Sequence, residues 1–183
     1  MNLDKAIRTR RSVRKYKKRG VSNGIIRRIL DLARYAPSSM NGQPWHFIVV
    51  RDRKTKKRLA RIKNKYCPVE KKMFKADFMK DAAVVIVVCV DRKISFERGV
   101  ESAVLATAYI MLSARARGLD SVYMSAYKNG EPAVAREIRK ALSIPPGIDP
   151  VTMIPLGYPD EIPEDKETKL LEGMVSYETF GKK

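Results

Sequence analysis

Cysteine is nearly absent from this sequence, and its two residues, Cys67 and Cys89, exclude a disulfide framework. A single histidine, His46, leaves no Cys, His and carboxylate spacing that suggests a metal centre. No apolar run approaches the roughly 20 residues that a membrane span needs. The opening Met-Asn-Leu-Asp-Lys has no apolar stretch behind it, as a signal peptide would. Strand-to-helix junctions lack a phosphate-cradling glycine loop, which argues against a Rossmann or P-loop site. Internal repeats and low-complexity tracts are also missing. The expectation is a cytoplasmic protein without membrane association or metal.

Acidic residues are the next scarcity: 20 Asp and Glu face 38 Lys and Arg, for a formal net charge of +18. Such an excess admits nucleic acid, anionic membrane or small anionic molecules as partners and does not choose among them. Basic residues are spread from Lys5 to Lys183 and often sit beside apolar ones, as in Ile25-Ile-Arg-Arg-Ile-Leu30. That distribution reads as a generally basic surface, and aromatics are not interleaved with cations as a base-stacking platform requires. The Lys, Arg and Ile content fits a thermophile or simple compositional drift. A chain of 183 residues buries roughly 70 % of its extended surface, so one domain over 1–183 is expected.

Asn2 caps a first helix bearing Leu3, Ala6 and Ile7, and Ser22 caps a second with Ile25, Ile26, Ile29, Leu30 and Ala33 on one face, stopped by Pro37. A strand over His46–Val50 precedes a basic helix that opens at Asp52 and runs through Leu59 and Ile62. Residues 64–80 show no clean period and read as a mobile lid or a short helix, and the lysines of 63–80 read as solvated. Ala82–Val90 is continuous and β-branched, the pattern of a central strand covered on both faces, with Cys89 a buried small hydrophobe. From about Arg98 to Arg117 runs a helix apolar nearly all round, which must be buried in the core or against a second subunit, and Gly118 closes it. A strand near Ser121–Ser125, a helix from Pro132 to Leu142, a loop over Pro145–Pro150 and a strand over Val151–Leu156 follow. The tail from Gly157 has no core of its own and must lie across another surface.

Residues 8–16, Arg-Thr-Arg-Arg-Ser-Val-Arg-Lys-Tyr, gather Arg10, Arg11, Ser12 and Arg14. Guanidinium pairs with phosphate bidentately, so this cluster suits a small phosphorylated anion. Ala36-Pro-Ser-Ser-Met-Asn-Gly-Gln-Pro-Trp45 is a loop of small and amide residues able to line a flat polar ring. Taken alone, Ser38 and Ser39 are equally ordinary turn residues. Trp45 reads as a core or interface anchor and His46 as structural.

Together with Glu101-Ser-Ala and Thr107, Gly118-Leu-Asp-Ser-Val-Tyr-Met-Ser-Ala126 and Ile154-Pro-Leu-Gly-Tyr-Pro159, these segments resemble the FMN-dependent nitroreductase family along essentially the whole chain. The resemblance implies an α+β fold: a nitroreductase-like sandwich with a central, mainly antiparallel sheet flanked by helices. It also implies a domain-entwined homodimer with FMN at the interface and residues 158–183 packing on the partner subunit. By the same resemblance Arg10, with Arg11 and Ser12 beside it, holds the FMN phosphate. Arg14 reaches the N1 and O2 edge of the ring, where a cation stabilises the anionic reduced flavin. Pro37, Ser38, Ser39, Asn41 and Gln43 come from the other subunit. Met124, Ser125 and Ala126 lie along the flavin, with the Ala126 N–H facing N5, and Gly157 joins the cofactor-binding set. Lys166 keeps a family lysine, Thr168 stands where the family often has arginine, and Lys169 is the available replacement. In the long helix, Ala108 and Tyr109 replace a Gln-Asn pair common in relatives.

The implied activity is that of an NAD(P)H-dependent FMN oxidoreductase: NADH or NADPH gives hydride to flavin N5, and a nitroaromatic, quinone or similar small acceptor then takes it, in ping-pong order. Flavin carries such chemistry, so no catalytic dyad is expected. Two other readings stay open, a basic nucleic-acid-binding protein and an FMN-binding storage or sensor protein without turnover.

Overall fold

The computed structural model describes residues 1–67, 75–127 and 130–182. Three side-chain caps start the N-terminal helices. Asn2 accepts from the Lys5 N–H at 3.0 Å to open α1 (Leu3–Thr9), Ser22 from Ile25 at 3.3 Å to open α2 (Asn23–Ala33), and Asp52 from Thr55 at 2.6 Å to open α3 (Arg53–Lys65). α2 stops ahead of Pro37, because the Tyr35 and Ala36 N–H groups bond back three residues and tighten the chain into turns.

Five strands form one antiparallel sheet: β1 (Trp45–Val50), β2 (Val84–Asp91), β3 (Asp120–Ser121), β4 (Met124–Ser125) and β5 (Ile148–Gly157). The order is β1-β2-β5-β3, with β4 also on β5. The strand expected near Ser121–Ser125 is thus two short strands. β5 begins earlier than expected, absorbing Pro150 opposite Cys89 where the register shifts; a bulge is where a strand tolerates the missing proline donor.

β2 sorts the core by alternation. Val84, Ile86, Val88 and Val90 face one cluster with α2 and α4 (Gly99–Arg115), whereas Val85, Val87 and Cys89 face another with α3 and α5 (Ala133–Ala141). Two helical layers therefore cover the sheet, and each fully buried aliphatic side chain contributes about 1.5–3 kcal/mol. Burial holds the Cys89 thiol up at about 12, so it stays neutral in the core.

α4 ends in a Schellman arrangement. Gly118, at φ +75, donates to the Arg115 carbonyl at 3.0 Å and Leu119 to that of Ala114 at 3.1 Å. Its outer face leaves Val100, Val104, Leu105 and Tyr109 exposed. The middle of the expected lid, 68–74, lies outside the described residues. Its C-terminal end is a 3-10 turn, Asp77–Lys80, pinned by the fully buried Met79 and by Asn64, which accepts from the Ala76 N–H at 2.7 Å.

Candidate cofactor site

α1 delivers Arg10 to its C-terminal end, and Ser12 then pairs with Ser121 of β3 in an isolated parallel bridge. Lys166 arrives from the tail. These three line a cleft of about 580 Å³ whose other walls include Ile7, Ala108, Met111, Leu112 and Tyr123. Two cations and a hydroxyl beside an apolar wall suit a phosphate attached to a flat, largely apolar body.

Buried polar groups stand next to this cleft. Asp120 accepts from Arg115 Nη1 at 2.7 Å, and Arg115 Nε donates to Thr9 Oγ1 at 3.1 Å. Burial nevertheless raises the Asp120 carboxyl above its usual range, against the lowering effect of Arg115 and then Arg10. Asp120 Oδ1 and Ser121 Oγ are buried without a hydrogen-bond partner among the described residues. An unmet buried polar atom costs about 1–3 kcal/mol, so these mark unused bonding capacity beside Arg10 and Ser12.

Arg11 points its guanidinium elsewhere. Its Nε donates to the Glu164 carbonyl at 3.1 Å, its Nη1 to Arg8 at 2.7 Å, and its Nη2 pairs with Asp165 at 3.5 Å. This clasps the tail just ahead of Lys166. Arg14 lines a second cleft of about 740 Å³ with Tyr16, Phe78 and Lys80, so the fully buried Val13 divides the cluster between two sites. Glu161 Oε1 accepts from the Arg14 N–H at 2.5 Å and the Lys15 N–H at 3.1 Å. Tyr16 donates to the Val13 carbonyl at 2.6 Å, and burial, then Asp120 and Glu161, push its hydroxyl pKa up. Lys80 is the residue sequence reasoning missed. It sits among lysines that read as solvated, and the burial of Met79 together with the Asn64 bond to Ala76 fixes the turn that carries it.

The loop from Pro37 to Gln43 lies outside both clefts. Ser38 Oγ accepts from the Gln43 N–H at 3.0 Å, while Ser39 helps form a 3-10 turn through Asn41. Met40, Asn41 and Gln43 hold left-handed φ values of +48, +53 and +45. Such strain persists only where surroundings over-determine it. Here Gly42 passes so close to Ile94 that a Cβ would sit 2.1 Å from the Ile94 carbonyl oxygen.

Ala126 corrects one expectation. Its N–H donates to the Val151 carbonyl at 2.8 Å and is spent on the sheet. Amide direction alternates along an antiparallel strand, so the preceding Ser125 N–H is directed away from β5. Lys63, expected to be solvated, instead donates its half-buried Nζ to the Ser125 carbonyl at 2.7 Å and steadies that peptide beside Met124. Gly157 is buried against the Tyr16 ring and the Ala83 nitrogen, where a Cβ would meet atoms at 3.0 and 3.3 Å. Lys169 is exposed on the tail, and His46 is exposed on β1, where an apolar strand start suggested a structural role.

The sequence model of the nitroreductase family matches residues 7–158. The chain belongs to the nitroreductase family. Among relatives, it is 36 % identical over 169 residues to a candidate NADH dehydrogenase/NAD(P)H nitroreductase of Methanothermobacter thermautotrophicus, covering 91 % of this chain and 82 % of the relative. It is 30 % identical over 190 residues to an iodotyrosine deiodinase of Thermotoga neapolitana, covering 93 % and 95 %. The solved FMN-dependent nitroreductase of Clostridium difficile R20291 matches with a TM-score of 0.83 at 28 % identity, over 96 % of this chain and 98 % of that one. The nitroreductase fold explains why helices cover both faces of an antiparallel sheet. No group of three or more His, Cys, Asp or Glu among the described residues could hold a metal ion. Nor is any described helix long and apolar enough to cross a membrane.

Proposed function

We propose that this chain is a cytoplasmic NAD(P)H-dependent FMN oxidoreductase that reduces a nitroaromatic, quinone or similar small acceptor in ping-pong order. The observation that carries the reading is the meeting of Arg10, Ser12 and Lys166, from opposite ends of the chain, in one cleft with an apolar wall. The unmet Asp120 Oδ1 and Ser121 Oγ beside it fit a polar ligand. The FMN-dependent nitroreductase among the matched structures supports FMN as that ligand. When bound, FMN supplies hydride chemistry at N5, between NADH or NADPH and the acceptor.

Arg10 and Lys166 balance the phosphate charge and the Ser12 hydroxyl bonds to it. Arg11 is a positioning residue, because its grip on Glu164 and Asp165 holds the tail where Lys166 reaches the cleft. Arg14 and Lys80 line the adjoining cleft and would supply positive charge to stabilise a flavin that gains negative charge on reduction. The Ser125 N–H, directed away from β5 by strand alternation, would be the backbone donor available to the flavin.

The site is completed in a homodimer of single 1–183 domains, to which a second copy brings Pro37, Ser38, Ser39, Asn41 and Gln43. Three uncovered surfaces support this assembly: the outer face of α4, the tail with Leu170, Leu171 and Phe180 exposed, and a groove of about 920 Å³ along edge strand β1 that includes Trp45, Phe47 and Val49. Residues 158–183 crossing to the partner would cover apolar surface on both.

The test is the absorption spectrum of the purified protein before and after denaturation, with FMN added to a colourless preparation, alongside its solution mass. Flavin bands near one per subunit, released on unfolding and bleached anaerobically by NADH or NADPH, are expected from a dimer. A protein that refuses added FMN overturns the cofactor assignment, and one that binds FMN but is not bleached is a storage or sensor protein.

A further inference from the structure

α3 concentrates charge in a way the whole-chain composition conceals. Eight of its thirteen residues are Lys or Arg and none is Asp or Glu. Burial of Leu59, Ala60 and Ile62 turns the helix so that Lys54, Lys57, Arg58, Arg61 and Lys65 are all exposed. Their spacing of three and four residues makes a single stripe, about 16 Å long at the rise of an α-helix. α5 lies alongside, and its Lys140 faces Arg58, Arg61 and Lys65 across a groove of about 480 Å³ floored by Ile62. Glu137 is the acid in that groove, and Lys65 already pairs with it at 2.6 Å. Lys54, Lys57, Arg58, Arg61 and Lys140 have no salt bridge among the described residues.

We propose that the α3–α5 groove docks the phosphate backbone of a nucleic acid, without reading sequence. Like charges at these spacings repel one another along the helix, and a linear polyanion relieves that repulsion along the whole stripe. Duplex DNA presents a charge about every 1.7 Å of its axis, a density that matches a cationic row better than a peptide with scattered acids does. Among the described residues the groove's apolar member is Ile62, which is buried and gives a bilayer nothing to insert. Tyr66, the aromatic beside the row, has its hydroxyl bonded to Glu137 at 2.6 Å. With no exposed ring beside the row among the described residues to stack a base, contact stays on phosphates. This surface is separate from the Arg10 cleft and independent of the cofactor reading.

The test is fluorescence anisotropy of a labelled DNA duplex with the full chain, across salt and across several unrelated sequences. Engagement of about four phosphates gives a slope of about −3.6 in log K against log salt, or a loss of about 150-fold between about 50 and about 200 mM. Arg58→Glu with Arg61→Glu should weaken binding at least about tenfold and flatten the slope by about 2, since two contacts are lost. Lys5→Glu with Lys17→Glu, which changes the net charge equally at two exposed positions of the N-terminal segment, should have much less effect. Circular dichroism checks folding, and Arg58→Gln with Arg61→Gln serves if the reversals unfold the chain. Equal losses in the α3 and N-terminal variants overturn the proposal, because net charge alone would then explain binding. Binding to polyglutamate or anionic vesicles in preference to the duplex, or no duplex binding, overturns it too.

Discussion

Two basic clefts on this chain differ in what surrounds their charge. Arg10 and Lys166 stand against the apolar wall of α4, next to the buried Asp120 carboxylate, whose Oδ1 has no partner among the described residues, and the likewise unmet Ser121 Oγ. Arg58, Arg61, Lys65 and Lys140 stand over an open groove with solvent on one side. Charge against an apolar wall suits a small molecule that brings both a phosphate and a flat body, and its contacts are partly shielded from salt. Charge alone in the open suits a polymer of phosphates, held by counterion release and weakened steeply by salt. Basic composition therefore predicts neither function; the neighbours of each cation do.

Salt gives the widest separation. Raising it from about 50 to about 200 mM should weaken duplex binding about 150-fold while FMN retention, followed by flavin fluorescence after gel filtration, changes little. Parallel losses at the two clefts would erase the distinction drawn here. Arg10→Ala should weaken FMN binding roughly 10- to 100-fold, the worth of a charge-assisted phosphate contact, and leave anisotropy of the duplex unchanged. A fluorescence titration with unaltered FMN affinity removes Arg10 from the site.

Gly42→Ala tests whether the strained loop is a rigid device for a second copy. Its Cβ would meet the Ile94 carbonyl at 2.1 Å, so the fold should lose about 1–3 kcal/mol by denaturant titration, and the dimer should loosen in sedimentation. Full stability would mean that the loop yields easily. Asp120→Asn is the smallest change and acts through pH. Burial raises the Asp120 pKa, so its contribution to stability is greatest below the ordinary carboxylate value and falls as pH rises through the raised one. Measured from about pH 3 to about pH 7, the variant should gain thermal stability relative to the native protein as pH rises. The opposite trend would show that Arg115 outweighs burial.

Much of the fold was legible because its causes are local. Asn2, Ser22 and Asp52 cap the helices that their spacing announces, Gly118 ends α4, and the β-branched run around Val87 is central and buried. The irregular edges were less so. β5 gains its first residues from a bulge opposite Cys89, and the segment around Tyr123 splits into β3 and β4 because both pair with one long strand. Neither depends on a pattern within the segment itself.

The candidate site divides along the same line. Arg10, Ser12 and Lys166 were marked by residue type and by resemblance, and the fold brings them together. Arg11, Arg14 and Ala126 belong to the same short segments yet go to different tasks. Arg11 clasps the tail, Arg14 enters another cleft with Lys80, and the Ala126 amide closes the sheet.

By itself the sequence determined the helix caps, the two-sided central strand, the family and the kind of anion the N-terminal cluster suits, because each follows from neighbours along the chain. Tertiary structure alone decided which cations share a cleft, which amide remains for a ligand, and that the scattered charge of α3 becomes a single row beside α5. Those outcomes depend on sheet order and on which helix face is buried, and both are settled by contacts between residues far apart in sequence.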